Sequence, residues 1–265
     1  MSRLLVKPRA GTGRVVDVTP ASAGWSHVGF AVHELAAGDR EAGHFAERET
    51  CLVLVSGIGF VAVDGRALAR VGERRSPFEG PPDSVYVPAG ASWTFVAETA
   101  VTLAVCTAPG RPGARPARRI DPGAVTDEIR GEGSNLRTVR NILPEGAEAD
   151  SLLVVEVITP AGHSSSYPPH KHDRDALPAE SLLEETYYFR VNPKQGFAFQ
   201  RIYTDDRSLD EAVAVEDGDV TLVPRGYHPC AAIHGYDLYY LNVMAGPRRT
   251  WKFHNAAEHA WLLPA

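Results

Sequence analysis

Several residue types are scarce in this chain of 265 residues, and each scarcity closes off a class of protein. There are three cysteines, Cys51, Cys106 and Cys230, an odd number set far apart and without a CxxC or other metal-binding spacing. They read as reduced, mostly buried thiols of a cytoplasmic protein, which excludes a disulfide framework and a thiolate metal site. Basic charge is not in excess, since 27 Lys and Arg stand against 33 Asp and Glu for a net −6. A nucleic-acid partner would call for a basic surplus. No apolar run is long enough to span a membrane, and the opening MSRLLVKPRAGTGRVVDV lacks the apolar core of a signal peptide. The expectation is therefore no nucleic-acid partner and no membrane partner. Sustained helical periodicity is also missing: no segment keeps an apolar 3.6-residue repeat with caps for three turns.

Short β-rich runs fill the space instead. VVDV, HVGFAV, CLVLVSG, GFVAVDG, SVYVPAG, WTFVAE and VTLAVC occupy the first half; SLLVVEVIT, ETYYFRV, FAFQRIYT, VTLVPRG and DLYYLNVMA occupy the second. Rich in Val, Ile and aromatics and broken by Gly, Pro, Asp and Asn, they predict an all-β sandwich or barrel. Between the halves lies APGRPGARPARRIDPGAV, residues 108–125, whose Pro, Gly and Arg predict a linker or surface arm without a strand ladder.

An internal repeat divides the chain. Asp83-Ser-Val-Tyr-Val-Pro88-Ala-Gly90 and Asp219-Val-Thr-Leu-Val-Pro224-Arg-Gly226 both read D-x-x-x-V-P-x-G, with Pro224 following Pro88 by 136 residues. The same offset carries Glu49 onto Glu185, and each Glu precedes an apolar strand that ends near a glycine. Two similar β domains follow: residues 1–135, with the linker arm from about 108, and residues 136–265.

Histidine is concentrated where chemistry is expected, seven of the ten lying from His163 onward. In Tyr167-Pro-Pro-His170-Lys-His172 the two imidazoles share one face of a strand, close enough to share an ion, while Lys171 points the other way. A lone HxH is as often two ordinary edge histidines, so the further residues matter. Glu185 brings a carboxylate at the start of the next strong strand, with Glu184 as its rival, and His228 follows the Pro224-x-Gly226 turn. Three imidazoles and a carboxylate suit one divalent first-row metal and leave positions open for substrate or water.

These residues resemble the cupin superfamily, in which one motif carries two His and a Glu and a second carries a His after a P-x-G turn. The spacing departs from that pattern in one place. Twelve residues, 173–184, separate His172 from Glu185, whereas His44 lies five before Glu49, so the second half carries an inserted loop expected to wall the pocket. The first half keeps Gly38, His44 and Glu49 but has Ala91-Ser92-Trp93 after its turn and no histidine there. It reads as a degenerate, structural barrel, with His44 satisfied by ordinary hydrogen bonds. The fold expected is thus an all-β bicupin of two antiparallel jelly-roll barrels with a degenerate N-terminal site.

A closer likeness covers nearly the whole chain. SRLLVKP, DSVYV, RTVRNILP, PPHKHD, LPAESLLEETYYF, GFAFQRIYTDDRS, VPRGYHP, YYLNVMAGP and WKFHN resemble the 5-deoxy-glucuronate isomerase family of bacterial myo-inositol catabolism, related to the ketol-isomerases of pectin breakdown. The resemblance implies isomerisation of 5-deoxy-D-glucuronate to 5-dehydro-2-deoxy-D-gluconate through a metal-stabilised enediolate. The metal site would be His170, His172, Glu185 and His228, holding zinc, with manganese or iron also compatible. For proton transfer the candidates are Tyr187, on the Glu185 face, and Tyr240, on the last strong strand. Arg201 is favoured over Arg225 and Lys252 as the cation for the substrate carboxylate. A metal-dependent cupin dioxygenase would use the same ligands, and a non-catalytic sugar-binding cupin would be expected to have lost them. Bare sheet edges leave room for a homo-oligomer.

Overall fold

Alternation of apolar and polar residues decides most of the architecture, because a strand with one apolar face must bury it against another sheet. The structure is a computed structural model that describes residues 2–263. Among the described residues the one α-helix, Pro20–Ala23, is four residues long, and no helix is long and apolar enough to cross a membrane.

Two compact units are present. One comprises Pro8–Asp127 with Arg140–Val155; the other comprises Met1–Lys7, Glu128–Val139 and Glu156–Ala265. Along the chain the units interleave, with segments exchanged on both sides of the boundary expected near residue 135. In the first, a six-stranded sheet runs in the order Arg118–Ile120, Ser84–Val87, Arg48–Ser56, Val101–Pro109, Gly29–Leu35, Gly13–Val18. A four-stranded sheet runs Arg40–His44, Ser92–Ala97, Gly59–Val63, Arg66–Val71. Leu52, Leu54, Val85 and Leu103 from the larger sheet and Val61, Trp93 and Phe95 from the smaller close one core.

The same plan recurs. A seven-stranded sheet runs Leu5–Val6, Val220–Val223, Glu184–Asn192, Asp237–Ala245, Leu153–Thr159, Arg137–Leu143, Asp127–Arg130. A four-stranded sheet runs Ser164–Ser165, Cys230–Ala232, Phe197–Tyr203, Asp210–Glu216. The strands Arg48–Ser56, Ser84–Val87 and Val101–Pro109 each reappear 136 residues later with the same ends and in the same order, though Leu5–Val6 takes the outer place held by Arg118–Ile120 in the first copy. Gly29–Leu35 reappears only 124 residues later, as Leu153–Thr159. The missing twelve residues (136 − 124 = 12) are an insertion in the second copy, and they contain a β-hairpin, Asp173–Ala176 paired with Glu180–Leu182.

One expectation from the sequence needs correction. The segment 108–125 does enter strand ladders: 108–109 end the strand Val101–Pro109 opposite Arg48 and Glu49, and 118–120 pair antiparallel with Ser84–Tyr86 as an edge strand. This tripeptide has no proline, and its side chains are anchored. Arg119 makes two hydrogen bonds to Asp83, at 2.9 and 2.7 Å, and the Arg118 guanidinium lies over the Tyr86 ring at 4.4 Å. Cys51, Cys106 and Cys230 are buried and free, as expected. Cys51 and Cys106 oppose each other across two strands, and burial pushes the Cys51 thiol up to about 12.

Candidate active site

His170 opens a two-residue strand, His170–Lys171, whose partner is His254–Asn255 near the C-terminus. Strand alternation sends Lys171 away from its histidine neighbours into an acidic nest, with Nζ 2.7 Å from Asp173 and 3.4 Å from Glu180. His172 follows on the His170 side. The inserted hairpin closes on it: the Leu183 amide donates to the His172 carbonyl at 2.9 Å, and His172 Nδ1 meets the Leu183 carbonyl at 3.0 Å. His228 is delivered by the Pro224-x-Gly226 turn. Gly226 has φ +89°, and a Cβ there would come within 2.4 Å of the Tyr203 carbonyl oxygen, so the turn requires glycine.

The structure brings His170, His172 and His228 together, with one ligand nitrogen from each lying within 4.8 Å of the others. Glu185, not Glu184, joins them; its Oε2 is 3.1 Å from His172 Nε2 and 3.2 Å from His228 Nε2. His172, Glu185 and His228 are almost wholly buried. The donor set fits a divalent ion. Nδ1 of His172 and of His228 each face a backbone carbonyl, the latter at 2.8 Å from Gly226, which fixes the ring and turns the Nε2 lone pair inward. His228 Nε2 is buried with no hydrogen-bond partner among the described residues, because its approach to Glu185 is out of line. Electrostatics agree with a cation-seeking cluster. Burial works against the Glu185 carboxylate, but the hydrogen bond with His172 and the adjacent His228 imidazole outweigh it and hold the group at about 2. Burial also disfavours charge on His170, aided by His228 and His172, and its pKa lies well below the ordinary value. For His172 burial is overcome by Glu185, which raises it. The triad could hold a metal ion.

Tyr187 and Tyr240 are both beside this cluster, with the Tyr187 ring centroid 5.8 Å from that of His228 and 4.9 Å from that of Tyr240. Burial pushes both phenols up, so at neutral pH they are hydroxyl groups and not phenolates. Two serines absent from the sequence reading complete the arrangement. Ser166 Oγ is 2.9 Å from the Tyr187 hydroxyl, and Ser165 Oγ hydrogen-bonds to that of Tyr240. Their position in the run HSSSYPPHKH, just ahead of the HxH pair, was the available signal. Phe253, also missed, sets its ring 4.8 Å from His170.

Arg201 is not brought to the site. In Phe197–Tyr203 the side chains of Ala198, Gln200 and Ile202 turn inward, so period two puts Arg201 outside, where it forms a two-point ion pair with Asp210 at 2.8 and 2.7 Å. Arg225, Lys252 and His254 are exposed as well.

The first copy holds no such cluster. Glu49, the counterpart of Glu185, is fully buried, but its oxygens accept from the Tyr86 hydroxyl and from the amides of Asp150, Ser151 and Leu152, all at 2.6–2.7 Å. His44 lies on the exposed face of its strand and belongs to no metal-like cluster among the described residues.

Comparison with known proteins extends this geometry. The KduI/IolB family pattern matches residues 4–262. A 5-deoxy-glucuronate isomerase of Geobacillus kaustophilus is 54% identical over 266 residues, covering 99% of this chain and 96% of that one. A 5-deoxy-glucuronate isomerase of Halalkalibacterium halodurans is 48% identical over 270 residues, covering 99% and 100%. The crystal structure of an IolB-like protein from Salmonella typhimurium LT2 matches with a TM-score of 0.95 and 52% identity over 98% of both chains. Lactobacillus farciminis oxalate decarboxylase, solved as a formate complex, matches all of this chain and 91% of its own at a TM-score of 0.68 and 13% identity, a likeness of fold alone. The fold is an all-β bicupin, and the chain belongs to the KduI/IolB family.

Proposed function

We propose that this protein is an isomerase that converts 5-deoxy-D-glucuronate to 5-dehydro-2-deoxy-D-gluconate, an aldose–ketose isomerisation in inositol catabolism. The observation that carries the reading is the buried convergence of His170, His172 and His228 on Glu185, in a chain matched end to end by relatives named for that activity. The four residues would hold one divalent ion, zinc in this reading. Such an ion supplies Lewis-acid polarisation of a carbonyl and its neighbouring hydroxyl, which acidifies the C–H between them.

In the reaction one proton leaves the hydroxyl-bearing carbon and arrives on the aldehyde carbon, while a hydroxyl proton passes between the two oxygens. No electrons leave the substrate, so no nicotinamide is required. The residues nearest the triad suit the oxygen-to-oxygen transfer. Tyr187 and Tyr240 are protonated donors, and Ser166 lies within 3.4 Å of the Tyr240 hydroxyl as well as 2.9 Å from that of Tyr187. This chain of hydroxyls can give a proton at one substrate oxygen and take one at the other. The Tyr187, Tyr240 and Phe253 rings keep bulk water from the reacting carbons, so that a proton taken from carbon is returned to carbon. A cytoplasmic location fits the three free thiols, and the edge strands Gly13–Val18 and Asp127–Arg130 leave room for a homo-oligomer.

The test measures metal content and turnover of 5-deoxy-D-glucuronate on the purified protein and on His172→Ala. One divalent ion per chain in the parent, with metal and turnover both lost in the variant, is the expected result. A parent that takes up no ion after supplementation would sink the metal site. Bound iron with oxygen uptake and no isomerisation would replace the isomerase with a dioxygenase.

A further inference from the structure

Several cations of the unit that carries the triad have visible anions. Arg190 pairs with Asp217 at 2.8 Å, Arg201 with Asp210 at 2.7 Å, Arg130 with Glu128 at 2.8 Å and Lys171 with Asp173 at 2.7 Å. Arg137 differs. It begins the strand Arg137–Leu143, its side chain is half-buried, and no carboxylate among the described residues pairs with it. Its Nη1 donates to the Asn135 carbonyl at 2.9 Å. Gly131 lies against it, where a Cβ would come within 2.6 Å of the same Nη1, so the backbone yields space to the guanidinium.

Burial lowers the Arg137 pKa from its ordinary value, and the charges it feels come from Tyr240, Arg130, Cys230 and Tyr187. Geometry puts it beside the two phenols that flank His228: Asn135, which holds the guanidinium through its carbonyl, donates its Nδ2 to the Tyr167 carbonyl at 3.0 Å, next in the chain to Ser166, whose Oγ is 2.9 Å from the Tyr187 hydroxyl. A cation taken from water without an anion is unfavourable, and it is tolerated where a ligand completes it. A planar fork of N–H donors matches a carboxylate in two-point fashion, which an ammonium does not. The substrate of the proposed reaction carries its carboxylate at the far end of the hexose from the reacting carbonyl. Its cation should therefore stand near the histidine cluster but outside it.

We propose that Arg137 receives the carboxylate of the sugar-acid substrate on the Tyr187 and Tyr240 side of the triad, an assignment that rests on the isomerase reading above. Arg137 then fixes which end of the substrate meets the histidines, and it makes the site selective for uronates over neutral sugars.

The experiment compares parent, Arg137→Gln and Arg137→Lys proteins at equal metal content, with thermal unfolding recorded to show that all three are folded. Kinetics are measured on 5-deoxy-D-glucuronate, and solvent-deuterium exchange is measured on neutral 5-deoxy-D-glucose. The Gln variant is expected to lose on the order of a hundredfold in kcat/KM on the uronate, mostly through KM. The Lys variant should recover about tenfold of that loss, and exchange on the neutral sugar should change by less than about threefold. An unimpaired Gln variant, equal losses on both sugars, or equal losses in Gln and Lys variants would overturn the assignment; if the neutral sugar is inert throughout, the Gln–Lys contrast decides. A parent protein inactive on the uronate would refute the isomerase reading and this assignment with it.

Discussion

At Glu185 two imidazoles approach one carboxylate oxygen, and burial leaves the three groups to settle their charges among themselves. In metal-free protein this makes stability depend on pH in a defined window. Glu185 is held at about 2 against an ordinary 4.5, so its contribution is present above about 4.5 and is lost as pH falls towards 2. His172 is raised above an ordinary 6.5, so its contribution is complete below that value and is lost as pH rises through the folded pKa. The pair should therefore stabilise chelator-treated protein most between about pH 4.5 and 6.5, by roughly 3 kcal/mol for Glu185 alone. His170, depressed by burial, takes stability away as pH falls below 6.5 in any variant that keeps it, so urea unfolding across pH 3–8 checks the difference: the advantage of the parent over Glu185→Gln should peak in that window, and a pH-independent difference would contradict the linkage. The convergence of these histidines was legible in the sequence because their spacing is local to a strand and to a turn. Arg201 was misread because alternation says that neighbours lie on opposite faces, not which face is inside; that depends on the sheet packed against it. Ser165 and Ser166 carry no ligand-like spacing, and only the folded site gives them meaning.

The inserted hairpin, Asp173–Ala176 with Glu180–Leu182, links the two motifs that supply ligands. Asp173 accepts from Lys171 Nζ at 2.7 Å through one oxygen and from the Gly226 amide at 2.9 Å through the other. One carboxylate thus ties the HxH strand to the turn that delivers His228. Losing such a support should leave the ligands present but less well aimed, at a cost of about tenfold or more in metal affinity. Chelator competition on Asp173→Ala should show that loss, while Arg174→Ala, an exposed neighbour, should bind as the parent does. Equal affinities in the two variants would reduce the hairpin to a bystander. The insertion itself was legible from the unequal spacing of the two copies, but its form was not, because DRDALPAESL has neither apolar alternation nor a tight-turn dipeptide. The same weakness hid Arg40–His44 and Arg66–Val71, largely exposed strands without apolar alternation that form because neighbouring backbones need partners. Long apolar strands such as Arg48–Ser56 and Asp237–Ala245 were plain from composition, since both of their faces are buried.

Duplication raises a question about the whole molecule: whether the first copy has lost only one ligand and could be restored. At the 136-residue offset His228 corresponds to Ser92, whose amide and hydroxyl are both taken by Asp64. The next residue, Trp93, turns its indole into the core, against Gly43, where a Cβ would meet the ring at 2.6 Å. Glu49, though buried like Glu185, already accepts four hydrogen bonds from Tyr86 and three backbone amides, so its oxygens are committed to holding residues 150–152. His44 faces solvent on the outer side of its strand. Restoring a site would therefore need His44 turned inward, further imidazoles introduced and a carboxylate released, not one substitution. Trp93→His should still bind one ion per chain by elemental analysis, the ion that His172→Ala removes. It should also unfold at lower denaturant, because replacing a buried indole by an imidazole costs about 3 kcal/mol or more. A second tightly held ion in Trp93→His would mean that the first copy is one residue from function. The expected single ion would mean that its carboxylate was turned to structural use, with the chemistry left to the second copy.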